Sequence, residues 1–199
     1  MKLLVATSNA GKLGEMREIL APIGFTLVSL AEAGLEAPEE TGVFFHDNAE
    51  LKARECALKL HLWALGDDSG LCVDALNGEP GVRSARYAPT DVERRFKLLD
   101  ALKSFPVNRR GAHFFCAVAL CAPDGQRLFR AEGRVDGTIE LAARGSNGFG
   151  YDPIFGPAET PGRTLAELSS AEKNRLSHRG RALERMRPLL EQLARDGTL

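Results

Sequence analysis

The chain of 199 residues carries a formal net charge of -1, with 44% hydrophobic and 27% charged residues. That mix suits a globular chain with an apolar core, and the near balance of charge gives no electrostatic reason to expect nucleic-acid or membrane binding. A polyanionic ligand would have to be met by a few local cations and a metal ion. Cys56, Cys72, Cys116 and Cys121 lie scattered among apolar residues, with no CxxC pair and no histidine at zinc-like spacing. They read as buried free thiols of a reducing cytoplasm. The N-terminal apolar run is too short for a signal-peptide core and no stretch approaches transmembrane length, so a cytoplasmic protein is expected.

Residues 2–6, KLLVA, predict a short strand ending in the polar turn TSNAG. Leu13, Met16, Ile19 and Leu20 then recur at helical spacing, predicting a helix from Lys12 to about Leu20. Strand, tight turn and helix open an α/β fold. FTLVSL (25–30) predicts a second strand, followed by a polar loop that runs to Gly42. From about Phe45 to His61, the stripe Ala49, Ala53, Cys56, Ala57 and Leu60 predicts a helix, with Asn48 and Lys52 one turn apart on another face. LWALG (62–66) predicts a buried strand running straight into the turn-like DDSG. A helix is expected at roughly 91–103, a strand at 113–122 (HFFCAVALCA), and a hairpin partner at 126–135 across the turn PDG. RGSNGFGYDP (144–153) reads as a Gly-rich loop, and the apolar spacing from Leu176 to Leu193 marks a long amphipathic C-terminal helix. No repeat or linker divides residues 1–199, so a single α/β domain with a mixed sheet is expected.

Four polar clusters admit chemistry, and each also has a purely structural reading. TSNAGK (7–12), between a strand and a helix, would aim backbone N–H groups and Lys12 at a phosphate. It would equally serve as an ordinary helix cap with a surface lysine. Asp67 and Asp68 follow the apolar run 62–66, where α/β sheets carry ligands; adjacent carboxylates there repel unless a cation compensates, and Mg²⁺ favours such hard oxygen donors. Turn-forming aspartates are the alternative. Phe149 or Tyr151 could stack on a purine or plug the core. In KNRLSHRG (173–180), Ser177 suits an N-cap, while Lys173, His178 and Arg179 either face an anion or base edge or form a solvated helix start.

In chain order, TSNAGK, EETG (39–42), NAELKA, DDSGL, G-x-x-SARYA (81–88), GFGYDP and EKNRLSHRG resemble the inosine triphosphate pyrophosphatase family, whose bacterial members act on XTP and dITP. The resemblance runs from about residue 1 to residue 195. It implies an elongated α/β fold of two lobes around a mixed β-sheet, with the active site in the central cleft, and a homodimer. It also implies that Thr7, Ser8, Asn9, Ala10, Gly11 and Lys12 cradle the triphosphate, with Lys52 as a second cation. Glu40 and Asp68 would hold Mg²⁺, with Asp67 a further candidate ligand and Asp68 also the acceptor of the attacking water's proton. Ser69 would touch substrate; Phe149 would stack on the base beside Gly150, Tyr151 and Asp152; Lys173, His178 and Arg179 would close the site. Arg83 stands where the family often has a tyrosine.

The expected reaction is water attack on the α-phosphorus of a deaminated purine nucleoside triphosphate (ITP, dITP or XTP), releasing pyrophosphate, by positioning and charge neutralisation. Donors near Ser177–Arg179 would accept a 6-oxo base and reject ATP. The rivals are a Maf-like pyrophosphatase with another base preference and a non-catalytic nucleotide sensor. Glu40, Asp67 and Asp68 together argue against the sensor.

Overall fold

The computed structural model describes residues 2–197. Six strands, β1 (Lys2–Ala6), β2 (Thr26–Ser29), β3 (Ala64–Val73), β4 (Gly111–Cys121), β5 (Leu128–Ile139) and β6 (Phe155–Pro157), hydrogen-bond in the order β2-β1-β3-β4-β5-β6. Pairing of β1 with β2 and with β3 is parallel, and β5 pairs antiparallel with β6, so the sheet is mixed as expected. Helices α1 (Ala10–Leu20), α2 (Phe45–Leu60), α3 (Asp91–Ala101), α4 (Ser170–Leu176) and α5 (His178–Arg195) complete the α/β fold. Among the described residues, no helix is long and apolar enough to cross a membrane.

The chain folds into two compact units. One takes the described residues up to Asp68, Cys116–Gly133 and those from Arg181 onward; the other takes Ser69–Phe115 and Arg134–Gly180. In the first unit, Leu3 and Val5 of β1, Leu65 of β3 and Trp63 just ahead of β3 pack with Met16 and Leu20 of α1 and with Leu183, Met186 and Leu190 of α5. The opposite face of β3 receives α2, through Ala49 and Ala53. A β-carbon on Gly66 would lie 2.1 Å from the Ala49 carbonyl oxygen and 2.8 Å from the Ala53 nitrogen, so only glycine admits the helix this close. The second unit has its own core, built on Leu71, Leu98, Phe114, Val135, Tyr151 and Phe155.

The helix starts follow local chemistry. Asn9 caps α1 by accepting from the Lys12 amide at 3.0 Å, which starts that helix at Ala10, two residues earlier than its apolar spacing suggests. Thr90 and Ser169 each close a capping box at the head of α3 and α4. Ser177 Oγ accepts from the Gly180 amide at 3.1 Å, the N-cap of α5 that the sequence predicts.

One expectation is corrected. Asp67 and Asp68 do not lie in a turn past a strand ending at Gly66, because β3 continues through them to Val73. Asp, Ser and Gly favour turns, but here each buried carboxylate meets its own lysine, and the ladder continues. A second feature, the three-residue β6, is too short to leave a pattern in the sequence.

Candidate active site

Strand alternation sends Asp67 and Asp68 to opposite faces of β3. Asp67, on the α1 side, takes the Lys12 ammonium on Oδ1 at 2.5 Å and the Cys116 thiol on Oδ2 at 3.1 Å. On the α2 side, the Asn48 amide donates to Asp68 Oδ2 at 3.0 Å. Lys52 Nζ donates to Asp68 Oδ1 at 3.2 Å and to Glu40 Oε1 at 2.8 Å. Lys52 and Asn48, one turn apart on α2, point to the same carboxylate because i and i+4 share a helix face. Asn48 also grips Gly42 twice, accepting from its N–H at 2.8 Å and donating to its carbonyl at 3.2 Å. The 39–42 loop that carries Glu40 is thereby tied to β3.

Electrostatically the cluster is tightly bound. Burial pushes the Asp68 carboxyl above its ordinary range, against the pull of Lys52, Lys12 and the Asn48 hydrogen bond. Burial draws the Lys52 ammonium down, but Asp68 and Glu40 outweigh it and hold Lys52 above its ordinary value. Lys12 thus acts on both aspartates, so α1 and α2 present their cations to one acidic locus.

Glu40 and Asp68 turn carboxylate oxygens toward a common cationic point, and Glu40 keeps about a quarter of its side chain in solvent. Two hard oxygen donors with an open side suit Mg²⁺, which binds through one or two carboxylates and keeps its remaining positions for water and phosphate. Asp67 stands on the other face with Lys12, so it does not join that pair of donors. Among the described residues no group of three His, Cys, Asp or Glu side chains forms a closed metal cage.

The expected phosphate cradle is a capped helix start. Thr7 Oγ1 accepts from the Asn9 amide at 3.2 Å, and Asn9 in turn caps α1. Ala10 and Gly11 lead the helix, where an amide has no intrahelical acceptor. Ser8 and Ala10 are exposed.

The second unit assembles the remaining candidates. Asp152 Oδ2 accepts from the Phe149 amide at 2.8 Å and from Lys173 Nζ at 2.5 Å. The Lys173 ammonium lies 4.7 Å from the Phe149 ring centre and the Arg179 guanidinium 5.9 Å from it. Arg179, almost wholly buried, also donates to Ser69 Oγ at 2.8 Å. The His178 ring stacks on Phe114 at 4.7 Å between centres. Of the two loop aromatics, Tyr151 is the one in the core, its hydroxyl donating to the Ser84 carbonyl at 3.0 Å, whereas Phe149 stays half-buried. Gly148 has a φ of +73° and its β-carbon would lie 2.1 Å from Asp152 Oδ2, so this loop needs glycine there.

Lys12, Glu40, Lys52, Asp67 and Asp68 therefore gather in one unit, and Ser69, Phe149, Asp152, Lys173 and Arg179 in the other. Asn48 and Cys116 are members that sequence reasoning missed. The trace of Asn48 was its place one turn from Lys52, off the apolar stripe; Cys116, inside an apolar strand, left none.

The sequence profile of the Ham1 family matches residues 3–189. The dITP/XTP pyrophosphatase of Synechocystis is 48% identical over 184 residues, spanning 92% of each chain. The dITP/XTP pyrophosphatase of Thermus thermophilus is 49% identical over 193 residues, 96% of this chain and 91% of its own. A HAM1 protein from Coxiella burnetii has the same fold, with a TM-score of 0.84 at 42% identity, covering 96% of this chain and 99% of that one. A nucleoside-triphosphatase, dITP/XTP pyrophosphatase, from Mycobacterium abscessus matches at a TM-score of 0.72 and 46% identity, covering 96% of this chain and 100% of that one.

Proposed function

Since this chain belongs to the Ham1 family, we propose that it hydrolyses the deaminated purine nucleoside triphosphates ITP, dITP and XTP to monophosphate and pyrophosphate. It is a nucleoside triphosphate pyrophosphatase. The reading rests on the convergence of Glu40, Lys52 and Asp68 in electrostatic reach of the Lys12–Asp67 pair. A site of alternating buried cations and carboxylates can take a triphosphate and hand a proton to a carboxylate without rearranging.

Lys12 and the leading amides of α1 bind the phosphates, and Lys52 adds a second cation. Glu40 and Asp68 hold Mg²⁺, which when bound offsets negative charge on the phosphate oxygens. A water oxygen attacks the α-phosphorus, and the bond from that phosphorus to the bridging oxygen of the β-phosphate breaks. Asp68 accepts the water's proton, and pyrophosphate leaves with the bond pair. Asn48 fixes the orientation of the Asp68 carboxylate, and Asp67 holds Lys12 in place. Phe149 stacks on the purine, flanked by Lys173 and Arg179. The amides that open α5 donate to the 6-oxo group; the 6-amino group of ATP would oppose donor to donor. We place the enzyme in the cytoplasm as a homodimer, keeping deaminated purines out of the nucleotide pool.

Pyrophosphate release from ITP and from ATP, each with and without Mg²⁺, tests the reading. Turnover of ITP alone, and only with the metal, is expected; comparable turnover of ATP would sink it. Asp68→Asn, which removes both the proton acceptor and a metal ligand, should leave less than about a tenth of wild-type kcat.

A further inference from the structure

The loop that carries Phe149 is held from outside by α3. At Gly150 the backbone turns left-handed, with φ of +59°, and no atom would meet a β-carbon there within 4 Å. Side-chain packing therefore does nothing to fix this residue, and glycine leaves its backbone the widest freedom. Its two polar groups are fixed instead. Arg95 donates to the Gly150 carbonyl at 2.7 Å, and the Gly150 amide donates to Asp91 Oδ2 at 2.8 Å. The two clamping side chains lie one turn apart on α3 and so share a face. The clamp is itself braced. Arg94 donates to Asp91 Oδ1 at 2.7 Å and to the Ala88 carbonyl at 2.8 Å, and the Thr90–Glu93 capping box fixes the head of the helix. Phe149 precedes the clamped residue directly, and Tyr151, which follows it, is anchored to Ser84.

We propose that Asp91 and Arg95 are positioning residues for the purine: by clamping Gly150 they set the plane of the Phe149 ring, and so govern affinity for the base and not the chemistry on the phosphates. The proposal rests on the reading of Phe149 as the base platform. Stacking demands a fixed ring plane, and a loop pivoting at an unclamped glycine would give that plane up.

The test uses the full chain as wild type and as Arg95→Ala, Arg95→Lys, Asp91→Ala and Asp91→Asn. The KM for ITP should rise about tenfold in each alanine variant, the scale of one lost base stack. Their kcat should stay within about threefold of wild type, the signature of lost substrate binding. Arg95→Lys and Asp91→Asn, which keep a donor and an acceptor, should recover part of the KM. Inorganic tripolyphosphate, which has no base, should inhibit all the proteins equally. An unchanged KM, or a tripolyphosphate inhibition constant that rises together with KM, overturns the proposal. Amide hydrogen exchange over residues 148–152 reads the clamp without any substrate. It should accelerate in both alanine variants, and unaltered exchange would overturn the clamp itself. Wild-type protein that leaves ITP intact would instead overturn the substrate reading, with exchange still deciding the clamp.

Discussion

Replacing Asn48 by alanine should damage the site out of proportion to the atoms removed. Asn48 is fully buried and its side chain makes three hydrogen bonds, two to Gly42 and one to the Asp68 carboxylate. Two neutral bonds at about 1 kcal/mol each and one charge-assisted bond at about 2 kcal/mol give a loss of about 4 kcal/mol. For a chain of this length that lowers the melting temperature by about 10 °C, read by differential scanning calorimetry. The same bonds tie the Glu40 loop to Asp68, so kcat on ITP should fall by about tenfold or more, as when a metal ligand loses its outer partner. Asn48→Asp makes the sharper control. It keeps the acceptor for the Gly42 amide but sets a second carboxylate oxygen about 3.0 Å from Asp68 Oδ2. Two such groups cannot both ionise, so this variant should bind a proton that wild type does not and recover stability as pH falls. An Asn48→Ala protein that melts within about 2 °C of wild type and keeps its kcat would refute the reasoning.

Lys12→Met should raise the KM for ITP and also cost about 3 kcal/mol of stability, because it takes the ammonium away from the buried Asp67 carboxylate; urea titration and steady-state kinetics read the two effects, and an unchanged KM would reduce Lys12 to a structural residue. Gly66→Ala should push α2 away from β3, costing about 1–3 kcal/mol and moving Lys52 and Asn48 off Asp68. Gly14→Ala, on an open face of α1, should be neutral or stabilising in the same assay. Glu172 is held at a pKa of about 2, below its ordinary 4.5, by Arg163 and by the Ser169 amide and hydroxyl. A depressed carboxylate stabilises the fold above its unfolded pKa, so the deficit of Glu172→Gln in urea midpoint should be full above about pH 4.5 and fade toward pH 2. A deficit constant across that range would argue against the ion pair and cap.

The order of elements was legible in the sequence because apolar period decides it: 3.6 for α1, α2 and α5, and continuous apolar runs for β1 and β4. Capping was legible too, since Ser177 announces α5 by residue type alone. The extent of β3 was not. Asp67-Asp68-Ser69-Gly70 reads as a turn until Lys12 and Lys52 are brought in from far along the chain, and nothing local signals that they will neutralise it. Spacing also left Phe149 and Tyr151 equivalent; Ser84, remote in sequence, makes Tyr151 the buried one. The Asp91–Arg95 clamp was invisible for the same reason, as its target is the backbone of Gly150.

The side-to-side alternation of Asp67 and Asp68 leaves β3 no tolerance for insertions or deletions. Adding or dropping one residue between Ala64 and Asp67 would swap the occupants of the two sides. Each aspartate would face the helix meant for its neighbour, and the slot left bare for α2 by Gly66 would move to the wrong side. Point substitutions can be absorbed one contact at a time, whereas a change of length there alters fold and chemistry in a single step. Natural or engineered variation in the length of this protein should therefore collect in stretches such as residues 31–37, ahead of the Glu40 segment, and stay out of β3.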